Sequence, residues 1–130
     1  MNTFKTKLVG MVLVLLLVGT LASMTYTVQA QPFVKVAETR DSMYPSDVDW
    51  FTVTLEGGVT YSIDLIVPWG SDFDMKVYDE NGNLVGSGTN GRGENEEVFI
   101  TPSWTGTFEV KVYYYGGTST NYDLQLWREL

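Results

Sequence analysis

From residue 47 onward the chain alternates apolar and polar positions with a period of two, the signature of strands buried on one face. Phe51, Val53 and Leu55 share a face in Asp47–Leu55. Tyr61, Ile63, Leu65 and Val67 repeat the pattern in Val59–Val67, and Glu56-Gly57-Gly58 between the two stretches predicts a hairpin. In Ser71–Gly88, Phe73, Met75 and Val77 alternate with Asp74, Lys76 and Tyr78, and Asn81-Gly82 supplies a turn where positive φ is cheap. Val98 and Ile100 follow a Gly/Asn-rich loop over 86–95. Phe108, Val110 and Val112 then alternate with Glu109, Lys111 and Tyr113, and a last strand carries Tyr122, Leu124 and Leu126. Adding Phe33–Val36, and taking Glu38–Asp47 as an irregular connection, gives about eight strands and no helix after residue 30. Short strands punctuated by glycine predict an all-β, antiparallel sandwich.

The inward set is expected to be Phe51, Tyr61, Ile63, Leu65, Met75, Val77, Val98, Ile100, Phe108, Val110, Val112, Tyr122, Leu124 and Leu126. Each large side chain in it contributes roughly 1.5–3 kcal/mol on burial.

The first 30 residues read differently. Lys5 and Lys7 precede an apolar run from Leu8 to about Met24, and Val28 and Ala30 have the spacing of a signal-peptidase site, so a signal-peptide helix cleaved after Ala30 is expected. An uncleaved anchor is the competing reading, since a run of about 17 apolar residues is at the lower edge of what spans a bilayer. The expected division is 1–30 signal peptide, 31–46 N-terminal strand and linker, and 47–130 sandwich. Cleavage would leave 100 residues, one domain's worth.

Charge and composition narrow the function. Residues 31–130 carry six Lys or Arg against sixteen Asp or Glu. That acidity argues against nucleic acid and anionic membranes as partners. The chain has no histidine and no cysteine, which excludes imidazole-based triads, His-based zinc sites, thiol nucleophiles and disulfides. No Gly-rich phosphate loop is followed by lysine. Carboxylate pairs could in principle hydrolyse glycosides, but a small sandwich has little room for a cleft, so the protein is expected not to be an enzyme.

Two constellations remain. Asp47 and Asp49, with Asp72 and Asp74, stand at two strand starts, and Glu38 and Asp41 lie in the preceding segment. Together they are candidate calcium ligands, because calcium accepts six to eight oxygens in flexible geometry; turn capping is the alternative use of the same aspartates. Trp50, Tyr78, Tyr113 and Tyr115 fall off the inward register and form a candidate ligand surface, with Trp69, Trp104 and Trp127 near turns or the terminus. Cross-strand packing is the competing explanation for these rings.

The blocks DVDWFTVTLEGGVTYSIDL, SDFDMKVYDENGNLVGSG and EEVFITPSWTGTFEVKVYYYGGTSTNYDLQL, over residues 47–127, resemble the bacterial pre-peptidase C-terminal domain in order and spacing. The resemblance implies a jelly-roll-like sandwich attached to secreted hydrolases. It also implies kinship with the collagen-binding domains of clostridial collagenases, which bind calcium near their N-terminal segment and hold a polymer with surface aromatics. The expected function is thus a secreted accessory or binding domain, extracellular or at the cell surface, possessing calcium as its candidate cofactor. Its expected partner is an extracellular polymer or a secreted peptidase acted on in trans. The alternative is a structural or assembly module of the cell surface.

Overall fold

A computed structural model describes residues 32–130, together with the backbone of Met11–Leu16 (β1) and Ser23–Val28 (β2). β1 and β2 pair antiparallel in a two-stranded sheet of their own. The expected signal-peptide helix falls largely on residues outside those described. The expected cleavage point at Ala30 lies outside the described residues.

Residues 35–128 form a compact unit. Its strands are β3 (Phe33–Ser42), β4 (Val48–Leu55), β5 (Tyr61–Ile66), β6 (Ser71–Tyr78), β7 (Leu84–Gly88), β8 (Glu96–Ile100), β9 (Gly106–Gly117) and β10 (Asn121–Glu129). They make two four-stranded sheets, the first in the order β3-β10-β5-β8 and the second in the order β4-β9-β6-β7. The all-β sandwich of eight strands is thus as the alternation predicts.

Strand partners differ from expectation in one place. β4 pairs with β9 and β5 pairs with β10 and β8, so β4 and β5 are not a hairpin but lie in opposite sheets. The Gly57-Gly58 link crosses between layers. The Gly57 N–H donates to Thr105 Oγ1 at 3.0 Å and the Gly58 N–H to the Pro102 carbonyl at 2.7 Å. A Cβ on Gly57 would sit 2.8 Å from the Trp104 carbonyl carbon, so only glycine fits that crossing. The segment expected as irregular after residue 37 also continues β3 as far as Ser42.

The expected hairpin β6–β7 is present, with a bulge between Val77 and Tyr78. Its turn is longer than Asn81-Gly82 alone. Asp79, only 5% exposed, accepts the N–H groups of Asn81 and Asn83 on Oδ1, both at 2.9 Å, and the Asn83 side-chain amide on Oδ2 at 3.0 Å. Gly82 supplies the positive φ of 80°. The carboxylate replaces the backbone partners that a tight turn leaves unsatisfied.

Most of the expected inward set is buried, with Phe51 and Leu126 only partly so. Phe73, Leu55, Val67, Met43 and Tyr114 join it. Phe73 and Tyr114 stack with ring centroids 4.3 Å apart, and Tyr122 lies 5.4 Å from Phe73. The two layers are also tied by a hydrogen bond: the Tyr122 hydroxyl on β10 donates to Asp49 Oδ2 on β4 at 2.6 Å. Burial and that carboxylate together push the Tyr122 phenol far above its usual pKa.

One buried group is costly. Glu96 is 0% exposed; its Oε1 accepts the Asn90 N–H at 2.7 Å, while Oε2 has no hydrogen-bond partner. Burial, reinforced by the charges of Asp74, Asp72 and Glu94, raises its pKa above the usual carboxylate value.

Two opposite pH effects follow. The Asn83 side-chain amide and the Asn81 and Asn83 N–H groups favour ionised Asp79 and lower its pKa, so its stabilisation is present above the unfolded value and is lost as pH falls through the lowered one. Asp79→Ala is expected to lower Tm by several degrees at pH 7, with the deficit shrinking in acid, in thermal melts across pH. Glu96 has the reverse sign: its contribution is fully present below the unfolded value of 4.5 and is lost as pH rises through the raised one. Glu96→Gln is expected to gain on the native protein as pH rises from 4.5 to 7, and parallel curves would contradict this.

Candidate aromatic ligand surface

The second sheet has one face turned to the core and one turned away from it. β9 sends Phe108, Val110, Val112 and Tyr114 inward, and Lys111, Tyr113 and Tyr115 outward. On β6 the same alternation turns Asp72, Asp74, Lys76 and Tyr78 outward, and on β4 Trp50, Thr52 and Thr54. Register places these residues side by side. Trp50 lies opposite Lys111, which lies opposite Lys76, and Tyr113 lies opposite Asp74.

The rings lean together across the strands. Trp50, 54% exposed, and Tyr78 meet over β9 with centroids 5.9 Å apart and planes at 38°. Tyr113 and Tyr115, the latter 58% exposed, are 4.6 Å apart and tilted by 51°. The Lys111 ammonium sits 5.5 Å from the Trp50 ring and 5.9 Å from the Tyr113 ring, a cation held between two π-faces. Asp74, Lys76, Lys111, Tyr113 and Tyr115 line a cleft of about 150 Å³. Burial raises the Asp74 pKa, and interaction with that carboxylate raises the Tyr115 phenol. All four ring positions named from the sequence are therefore in one patch. Lys76, Lys111 and the role of Asp74 there were not foreseen, although their place in the same alternation carries the signal.

The remaining aromatics separate. Trp69 is exposed at a turn. Trp104 donates from Nε1 to Glu80 Oε1 at 3.0 Å and stacks on Phe108. Trp127 is buried rather than exposed, with the Lys35 ammonium 5.5 Å above its ring. Its position beside the terminus concealed that its strand continues to Glu129.

The acidic candidates do not converge. Asp47 Oδ2 accepts the Tyr44 N–H at 3.0 Å and closes a turn in which Ser46 has a φ of 73°. Asp49 faces inward to Tyr122, whereas Asp74 faces outward beside Tyr113, so the two lie on opposite faces of one sheet. Glu38 bonds Lys35 at 3.1 Å and Gln125 at 3.1 Å, and Asp41 caps the Ser42 N–H at 2.8 Å. Among the described residues no three Asp or Glu side chains are gathered closely enough to hold a metal ion. The arrangement therefore does not gather Asp47, Asp49, Asp72, Asp74, Glu38 and Asp41 around one cation. Spacing put Asp72 and Asp74 on one face of β6, whereas Asp47 lies in the turn before β4 and only Asp49 is on that strand.

Comparison with known proteins agrees with this architecture. The fold is similar to the pre-peptidase C-terminal domain of collagenase from Bacillus anthracis, with a TM-score of 0.59 and 17% identity over 69% of this chain and 87% of that one. It is also similar to PliG of Aeromonas hydrophila, a periplasmic inhibitor of g-type lysozyme, with a TM-score of 0.57 and 15% identity over 77% of this chain and 88% of that one. No curated protein matches the chain in sequence. The sequence pattern of the bacterial pre-peptidase C-terminal domain matches residues 47–114, more than half of the chain. The chain belongs to the bacterial pre-peptidase C-terminal domain family.

Proposed function

We propose that this protein is an exported, non-catalytic accessory domain that binds an extracellular polymer or a partner hydrolase through the outer face of its second sheet. The observation that carries this reading is the gathering of Trp50, Tyr78, Tyr113 and Tyr115 on that one face, with Lys111 held between two of the rings. Partly exposed Trp and Tyr are rigid, amphipathic anchors that bury large area at low entropic cost. The planes are tilted by 38° and 51° and interleaved with Lys76, Lys111 and Asp74. A flat polysaccharide surface needs coplanar rings, whereas a polypeptide polymer, with alternating apolar, polar and charged groups, suits a tilted and charged strip. The absence of histidine and cysteine from the sequence is consistent with binding rather than catalysis.

An assembly role at the cell surface is the second reading. It is favoured by a separate observation, the edge position of β4, which has no second neighbour among the described residues.

Pull-down on insoluble collagen, cellulose and chitin tests the first reading. Binding is expected on the protein polymer, and Trp50→Ala, Tyr113→Ala or Tyr115→Ala is each expected to cost about 1–2 kcal/mol, a loss of roughly 5–30-fold. Retention that is unaltered in the triple variant would remove this face from the function. In this reading the aspartates serve turns and the Tyr122 contact, so Tm is expected to be the same in calcium and in chelator. A calcium-dependent rise that Asp49→Ala abolishes would instead assign a cation to the start of β4.

A further inference from the structure

Each of the two sheets ends in two edge strands, and three of the four edges carry a recognised protection. β3 bears Lys35, Glu38, Arg40 and Asp41. β7 and β8 are five residues each and lie against one another, Gly86 approaching Val98 so closely that no side chain fits between them. The ladder of β7 with β6 is also bulged. Charge, shortness, bulges and cover are the devices by which edge strands avoid pairing with another chain.

β4 carries less protection: its one charge is Asp49 at the strand start, bonded inward to Tyr122, and from Trp50 onward none of these devices occurs among the described residues. It is eight residues long, about 27 Å at strand rise, and its ladder with β9 runs from Val48 to Leu55 without a bulge. Trp50 to Leu55 contains no charged residue, proline or glycine. Along the same side, a mostly apolar groove of about 190 Å³ opens between β3 and β4, lined in part by Ala37, Phe51, Val53, Leu124 and Leu126. Phe51, Val53 and Leu126 are only partly buried there.

The geometry points to β4 as the seat of a two-fold dimer, in which β4 of a second copy of this chain pairs with it antiparallel. The strand is complementary to itself. Residues opposite one another in an antiparallel pair share a face, so a two-fold axis at Thr52 sets Phe51 against Val53 of the second copy and Trp50 against Thr54. Asp49 then faces Leu55, and no acid opposes an acid. The sequence has a net charge of −8, and its charges lie outside this neutral stretch. Association therefore works against long-range repulsion and strengthens as salt screens it, the reverse of an interface built on ion pairs. A closed two-fold uses the same strand on both sides and leaves no second copy of the edge free. Trp50 belongs both to this pairing and to the aromatic face, whereas Thr52, at the axis, lies outside the cleft lining, so a variant there tests the pairing separately.

Sedimentation velocity of the purified protein from about 10 µM to about 1 mM is expected to show a monomer–dimer equilibrium that shifts toward dimer as salt is raised. Thr52→Lys, which places two ammonium groups opposite each other, is expected to weaken the dimer about tenfold. Because the chain has no cysteine, Thr52→Cys provides a reporter that also covers failure of the lysine variant to fold. Opposed Cα atoms in such a pair are about 4.5–5.5 Å apart, within disulfide range, so Thr52→Cys is expected to cross-link under oxidation while Thr54→Cys does not. A monomer at every concentration, or equal cross-linking at the two positions, overturns the proposal.

Discussion

Two four-stranded sheets with no disulfide between them must be held face to face by side chains alone, and the contact from Tyr122 to Asp49 concentrates that task. It joins the central strand β10 of the first sheet to the edge strand β4 of the second at 2.6 Å, within a ring cluster of Tyr122, Phe73, Phe51 and Tyr114. A buried phenol needs an acceptor, and a carboxylate facing the interior needs a donor, so either alone would be a liability. Together they fix the lateral position of one sheet over the other. The register that results lets the inward rows of β4, β6 and β9 share one core.

That interior arrangement decides what the exterior can present. Because alternation is strict along β6 and β9, a ring placed outside implies its neighbours inside: Tyr114 stacks on Phe73 in the core, and Tyr113 and Tyr115 are thereby held outward. The outer aromatic face is thus the reverse side of the packing. Its rigidity comes from strands, not loops, which favours a preorganised site over an adaptable one.

Strand positions, the inward rows and the outer aromatic set were legible in the sequence because period-two alternation records the side of a sheet directly. What alternation does not record is the partner of each strand. Glu56-Gly57-Gly58 is compatible with a hairpin and with an arch between layers, and only the backbone of Trp104 against Gly57 decides for the arch. The acidic residues are separated for a related reason. Asp49 and Asp74 look equivalent as strand-leading aspartates, yet the first faces Tyr122 and the second Tyr113. Asp79 reads as an ordinary turn residue until its three hydrogen bonds are counted, and Glu96 reads as a surface charge although its parity with Val98 and Ile100 placed it inward.

The crossing at Gly57-Gly58 has a further consequence, for the order in which the chain assembles. Within the sandwich, β6 and β7 are the only strands adjacent in sequence that also pair; β4 waits for β9, β5 for β8 and β10, and β3 for β10. Loop closure must then be met before most pairings are rewarded, which places such a topology among slow-folding domains, in milliseconds to seconds. The hairpin organised by Asp79 is the one piece able to form early. Until β9 has emerged and docked between β4 and β6, β4 has no strand to pair with. A chain of this kind spends that interval dependent on its acidic surface to stay dispersed.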